Sequence, residues 1–242
     1  MLTPVTPLKK ADLLVSVLIP VYNEVETIAE IVERVRATPY MTEIICVDDC
    51  STDGTRDVLA QLLRDRKIAQ AIYQEKNRGK GAAVRTGIAA STGDIVVIQD
   101  ADLEYDPGDL PKLLDPLLQG VADVVYGTRL RGGEPQRAHL FWHYLGNRFL
   151  SLLTNVLYNT TISDMEVGYK AFRGDLVRSI DLVSNDFRFE PEITAKVLRR
   201  GVRLYEVPIS YYGRTYEEGK KITWRDGIHA VGALVRFRFG PQ

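Results

Sequence analysis

The sequence predicts an α/β protein built on a mostly parallel, Rossmann-like sheet flanked by helices. Three observations carry this expectation. Short apolar, β-branched runs alternate with helically spaced segments from Val15 to Gly127. One run, Ile95-Val-Val-Ile98, is apolar at every position, as a strand covered on both faces is. The 242 residues, 45% hydrophobic and 26% charged, are enough for one α/β domain with a sizeable core.

The elements follow in order. Val15 to Val21 is the first strand, and residues 25–36 place Ile28, Ile31, Val32 and Val35 at helical spacing. Glu43 to Asp48 is the second strand, and a helix runs from near Gly54 to about Asp65. Ala71 to Gln74 is a short third strand and Lys80 to Ala90 a third helix. Ile95 to Gln99 is the fourth strand, Pro107 to Gln119 a helix with proline at its start, and Asp123 to Gly127 the fifth strand. Strand-helix alternation of this kind gives right-handed crossovers between parallel strands. After Gly127 the pattern changes. Leu140 to Tyr158 is helical but apolar almost all round, Gly168 to Arg173 reads as a strand, Pro191 to Arg200 as a helix and Arg203 to Val207 as a strand. Trp224 to Phe239 is an amphipathic helix with Ile228, Val231, Leu234 and Val235 on one side. No internal repeat or low-complexity linker divides the chain, so one domain covers 1–242.

Charge and cysteine usage set the class. The formal net charge of -1 gives no global attraction to nucleic acid. The last third nevertheless gathers Arg199, Arg200, Arg203, Arg214, Lys220, Lys221, Arg225, Arg236 and Arg238, which favours phosphate groups or an anionic membrane surface; an ordinary solvated face would carry the same charges. Cys46 and Cys50 are too few for a disulfide framework and lack zinc-site spacing, so a reducing cytosolic compartment is expected. There is no leader-like charged segment with an apolar core and no apolar run of spanning length, so the expected membrane contact is peripheral, on the cytoplasmic face. The two apolar, basic helices suit an interfacial position; packing on the sheet, a homo-oligomer or a membrane-subunit partner are the alternatives.

Chemistry concentrates at strand ends, where open parallel sheets bind ligands. The first strand ends in Pro20-Val-Tyr-Asn-Glu24, the second in Asp48-Asp-Cys-Ser-Thr-Asp-Gly54, the fourth in Asp100-Ala-Asp-Leu-Glu104. Aspartates also serve turns and helix caps, and Ser51-Thr-Asp-Gly54 would cap a helix whatever the function. Carboxylates from three strands at one edge repel one another, however, and need a cation, a hydrogen-bonding ligand or protons; a divalent ion such as Mg²⁺ or Mn²⁺ is the economical answer. A dinucleotide fingerprint and a Walker loop are both absent, the latter because Asn77-Arg-Gly-Lys-Gly81 lacks its spacing and following hydroxyl residue. A receiver-type phosphoacceptor domain would not need the long C-terminal third, and a sugar-nucleotide pyrophosphorylase would want a Gly-rich basic loop after the first strand.

In this order, Ile19-Pro-Val-Tyr-Asn-Glu24, Val47 to Gly54, Asn77 to Gly81 and Asp100-Ala-Asp102 resemble the inverting glycosyltransferases of the GT-A fold. Asp164-Met-Glu-Val-Gly-Tyr-Lys-Ala-Phe-Arg173 and Arg214 to Lys221 narrow the resemblance to the dolichyl- or polyprenyl-phosphate hexosyltransferases, relatives of dolichol-phosphate mannose synthase. The resemblance implies a nucleotide-sugar donor, with GDP-mannose and UDP-glucose as leading candidates, and a polyprenyl or dolichyl phosphate acceptor. It implies that 1–14 is an extension, 15–127 holds the nucleotide sugar and 128–242 the acceptor and the membrane interface.

By that resemblance Pro20, Tyr22, Glu24 and Asp49 line the nucleoside pocket with Asp48 beside them. Lys80, Asp100 and Ala101 belong to the donor site, the last two under the ribose and diphosphate, and Asp102 binds the metal with Glu104 as a second ligand. Arg129 lies on phosphate, Arg214 and Lys221 close over donor and acceptor phosphates, and Asp164 sits near the sugar. A further basic residue is expected at the start of the helix that follows; Arg137, His143 and Arg148 are the candidates. Many bacterial relatives carry transmembrane helices after this domain, and none is found up to Gln242. An acceptor phosphate is already anionic, so it needs cationic positioning by Arg129, Arg214 and Lys221 rather than a strong base. Asp164 is then expected to orient the sugar or a basic residue. A hydroxyl acceptor would make Asp164 essential, and a non-catalytic nucleotide-sugar-binding membrane subunit would bind donor without turnover.

Overall fold

The computed structural model describes residues 13–137, 140–214 and 224–240, with the side chains of 224–226 left aside. Its centre is a seven-stranded sheet in the order β3-β2-β1-β4-β6-β5-β7. The strands are β1 (Leu14–Val21), β2 (Met41–Asp48), β3 (Gln70–Tyr73), β4 (Ile95–Ile98), β5 (Val124–Thr128), β6 (Lys170–Arg173) and β7 (Leu204–Pro208). The order turns back on itself at β1 and β4, so a crevice opens between their carboxyl ends, where α/β sheets bind ligands. Helices α1 (Ile28–Arg36), α2 (Thr55–Arg64), α3 (Lys80–Ala90), α4 (Leu110–Leu118), α5 (Phe141–Tyr158), α6 (Gly174–Arg178), α7 (Phe189–Arg199) and α8 (Trp224–Phe239) complete the chain.

The predicted α/β fold with a mostly parallel sheet is the one observed, and every expected strand forms. β6 departs from parallel: it runs antiparallel to both β4 and β5, pairing Val96 with Phe172 and Val124 with the same Phe172. The short α6 has no counterpart among the elements expected from the sequence. β4 is wholly buried, as its unbroken apolar run requires. Residues Ile28, Ile31, Val32 and Val35 form the buried stripe of α1, matching their helical spacing. Cys46 is fully buried, and burial pushes its thiol up to about 12, so it is an inert apolar filler.

The C-terminal helices differ from the simplest amphipathic reading. α8 packs on α5 and α7 through Ala230, Ala233, Leu234 and Phe237. Ile228 and Val235, expected on the covered side, are exposed. The small alanines let the α8 backbone approach its neighbours, which moves the contact face round the helix. On α5 the inner face is Leu150, Ser151 and Thr154. Its outer face presents Phe141, Leu145, Phe149, Leu152 and Val156 to solvent, and Trp142 is 77% exposed.

Phe172 anchors β6: it is completely buried, with its ring edge-on to Tyr126 at 6.3 Å between centroids. Phe172→Ala is expected to lower unfolding free energy by about 3–5 kcal/mol, read from denaturant melts, because the cavity lies between three strands.

Candidate active site

The carboxyl ends of β1, β2, β4 and β5 and the approach to β6 enclose one cleft of about 650 Å³. Pro20, Tyr22, Glu24, Asp49, Lys80, Asp100, Ala101, Asp102, Glu104, Arg129 and Arg214 all line it. Residues separated by almost the whole chain are thus brought together by the sheet edge.

The loop after β2 is held by its own aspartates. Asp49 accepts backbone N–H bonds from Arg78 and Gly79, both at 2.7 Å, which ties the β2 loop to the start of α3. Gly79 has φ +94°, and a Cβ there would meet the Asn185 carbonyl at 2.6 Å, so only glycine suits the turn. Asp48 is placed differently from its expected position beside the nucleoside. It is fully buried, off the cleft wall, and accepts from the Cys50 and Ser51 amides and from Arg56 Nε at 2.6 Å. Its oxygens shape the loop.

The next cluster is anionic. Arg214 donates from Nη2 to Asp102 Oδ2 at 2.7 Å and from its backbone N–H to Glu104 Oε1 at 2.9 Å, and its Nη1 lies 3.6 Å from Glu24 Oε2. The Tyr211 hydroxyl donates to Glu104 Oε2 at 2.7 Å. Burial, with the charges of Asp100 and Glu104, pushes the Asp102 carboxyl up to about 7 while Arg214 pulls it down. Lys80 pairs with Asp100 at 2.7 Å. Burial alone would lower the Lys80 ammonium, but Asp100 and Glu190 raise it instead, so it stays charged. Among the described residues no three His, Cys, Asp or Glu side chains form a ready metal cage. Asp102 and Glu104 nevertheless suit a hard divalent ion of the Mg²⁺ kind, which typically takes one or two carboxylates and completes its shell with substrate phosphates and water. Arg214 engages the same oxygens.

Across the cleft, Arg129 follows β5 directly. Its Nε and Nη2 donate to the two oxygens of Asp164 at 2.7 and 2.8 Å, its backbone N–H adds a third bond at 3.0 Å, and its guanidinium stacks 5.1 Å from the Tyr211 ring centre. Asn147 of α5 donates to the same carboxylate at 2.7 Å. Burial would raise the Asp164 carboxyl, but Arg129 and these hydrogen bonds outweigh it and hold the group below the usual carboxylate range. Glu206 of β7 takes the backbone N–H groups of Ser163 and Asp164, fixing the loop that carries the acid.

Asp164 thus meets a basic residue, Arg129, with both of its oxygens. Of the three candidates for a further basic group, His143 lines the cleft, Arg137 donates to the Gly213 carbonyl at 3.0 Å, and Arg148 is exposed on α5. Lys221 lies outside the described residues. Tyr105, Tyr211, Asn147, Glu166 and Glu190 join the site without standing out in the sequence. Two carry a weaker signal: Glu166 lies within the Asp164 to Arg173 stretch, and Glu190 precedes Pro191 at a helix start whose buried face also contains Glu192.

Residues 16–180 match the family described as Glycosyl transferase family 2. The chain belongs to that family and is a glycosyltransferase. It is 30% identical over 215 residues to an undecaprenyl-phosphate mannosyltransferase of Micrococcus luteus, covering 84% of this chain and 85% of that one. It is 32% identical to glycosyltransferase AglJ of Haloferax volcanii, over 83% of this chain and 63% of the relative, and 26% identical to a dodecaprenyl-phosphate galacturonate synthase of Rhizobium johnstonii, over 85% and 61%. The chain thus spans somewhat under two thirds of those last two relatives. Glucosyl-3-phosphoglycerate synthase of Mycobacterium tuberculosis, solved with Mn²⁺ and UDP, superposes with a TM-score of 0.73 at 22% identity, over 96% of this chain and 82% of that one, which establishes the shared GT-A fold.

Asp164→Ala strands a buried guanidinium. It should cost about 3–5 kcal/mol in denaturant melts, whereas Asp164→Asn, which keeps the shape and one acceptor oxygen, should be less destabilising and cause a modest rather than abolishing loss of activity.

Proposed function

We propose that this glycosyltransferase moves a hexose from a nucleotide sugar, GDP-mannose or UDP-glucose, to a polyprenyl or dolichyl phosphate at a membrane surface, with inversion and with a divalent metal. One observation carries the reading. A single cleft joins the Asp100, Asp102 and Glu104 carboxylates to the fixed Arg129 cation and runs out at Trp142, His143 and Tyr144, where α5 shows solvent an apolar face. The relatives named for undecaprenyl- and dodecaprenyl-phosphate transfer support the acceptor class.

The residues divide the work. Pro20, Tyr22, Glu24 and Asp49 line the nucleoside end, and Lys80 with Asp100 lies under the donor's polar part. When bound on Asp102 and Glu104, a Mg²⁺ or Mn²⁺ ion would neutralise the departing diphosphate. Arg129 offers a charge that is already oriented, so holding an acceptor phosphate requires little reorganisation. Attack in line from that side on the anomeric carbon inverts it. Transfer to a neutral hydroxyl would need a general base, and the acid nearest Arg129, Asp164, has both oxygens engaged by Arg129 and Asn147. The phosphate acceptor, anionic on its own, fits that arrangement better.

The α5 face supplies the docking. The helix has no acidic residue, and Phe141, Leu145, Phe149, Leu152 and Val156 follow one another along one side. Among the described residues no helix is long and apolar enough to cross a membrane, so docking on the surface is the proposed mode.

Purified protein mixed with Mn²⁺, polyprenyl-phosphate vesicles and a panel of labelled nucleotide sugars should carry label into the lipid with one donor. Asp102→Ala or EDTA should abolish transfer; activity that survives both removes the metal assignment. In vesicle sedimentation, Phe149→Glu should weaken partitioning by about ten-fold or more, since burying one such ring contributes about 1.5–3 kcal/mol, while binding of the free nucleotide is unchanged. Equal sedimentation of variant and parent would refute the docking face.

A further inference from the structure

The floor of the cleft carries two carboxylates that the roles above leave unused. Glu166 lies in the segment leading into β6 and lines the cleft. Its Oε1 is buried and receives no hydrogen bond. Glu190, at the start of α7, is 4% exposed and lines the same cleft. One of its oxygens meets the fully buried Lys170 ammonium. The other, Oε1, is buried without a hydrogen-bond donor and stands 3.6 Å from Lys80 Nζ.

The neighbouring cations are committed elsewhere. Lys80 makes its close contact with Asp100, at 2.7 Å. Lys170 also donates to the Met165 and Val167 carbonyls. Arg129 is held by Asp164. Among the described residues Glu166 joins no ion pair. Burial and the charge of Glu190 push its carboxyl up to about 7, against the pull of Lys170 and Arg129.

A buried acceptor without a donor is costly, and folded proteins keep few of them. A ligand that reaches both oxygens is matched to them when it brings hydrogen-bond donors. A metal ion is a poor match, since no third acid converges with them among the described residues. An anion would be repelled. Neutral hydroxyl groups fit both requirements, and a hexose ring presents several on adjacent carbons. Glu166 also lies in the right stretch of the cleft, electrostatically coupled to Arg129 on one side and to Glu190, and through it Lys80, on the other.

We infer that Glu166, assisted by Glu190, is the sugar-recognising floor of the site, accepting hydrogen bonds from hydroxyls of a neutral hexose and discriminating against hexuronates. The inference rests on the nucleotide-sugar reading given above. It names a property that reading does not contain. A hexuronate would bring a carboxylate toward two others in a buried setting, where like charges repel strongly. A site built to accept from hydroxyls rejects ligands that cannot donate there much more sharply than an apolar pocket rejects an extra group.

The test measures binding without acceptor, by calorimetry in Mn²⁺. The ligands are UDP, UDP-glucose and UDP-glucuronate, and GDP, GDP-mannose and GDP-mannuronate. For the base that binds, the parent protein should hold the hexose form at least ~10-fold more tightly than the uronate form. Glu166→Ala should weaken the nucleotide hexose by about ten-fold and leave the nucleoside diphosphate within about two-fold. Glu166→Gln keeps the volume, removes the charge and should narrow the gap between hexose and uronate; circular dichroism checks that both variants are folded. Equal weakening of diphosphate and nucleotide hexose, or a hexose-to-uronate ratio that Glu166→Gln does not move, overturns the inference. A parent protein that binds neither diphosphate overturns the nucleotide-sugar reading itself.

Discussion

Negative charge gathered at the carboxyl edge of the sheet has to be balanced from within the fold, and the site is organised around that requirement. Glu24, Asp100, Asp102, Glu104 and Glu190 all line one cleft. Without internal cations their mutual repulsion in a partly dry setting would open the edge. Three basic side chains prevent this, each from a different part of the chain: Lys80 at the head of α3, Arg214 after β7, and Lys170 inside β6. Two of these positions are also the ones best placed to meet phosphate. Lys80 and Arg214, which balance these acids, are thus themselves part of the cleft lining.

The opposite wall solves a different problem. Arg129 has to stay charged in a buried place and still face the cleft. It does so because Asp164 meets it fork to fork, Asn147 and Glu206 hold the acid and its loop, and Tyr105 and Tyr211 pack around the guanidinium. Preorganisation here is a matter of several elements agreeing on the position of one fork.

Much of this is legible in the amino-acid order because it is local. Each carboxylate cluster directly follows an apolar strand, and a parallel sheet puts all such ends on one edge, so strand pattern alone assigns Asp49, Asp100 and Asp102 to one site. Asp48 misleads for the same reason: it stands next to Asp49, but adjacent residues leaving a strand point to opposite sides, and its carboxylate turns inward to hold the loop. Tyr211 and Asn147 reach the site through tertiary packing and lack any periodic or motif signal, so nothing local marks them. The buried face of α8 departs from the amphipathic expectation because hydrophobicity favours Ile228 and Val235, whereas close helix packing favours Ala230 and Ala233.

The direction of β6 has a wider meaning. Because it runs antiparallel beside β5, the chain leaves the sheet edge after Thr128 and returns to the same edge at Lys170, into the neighbouring strand. Everything between, including α5, Asp164 and Glu166, is one excursion whose two ends are fastened side by side. Such an excursion can change in length while the crossovers of β1 to β4, which lie outside it, keep their connections. The fold thereby separates a frame of parallel crossovers from an excursion hung on one edge of it.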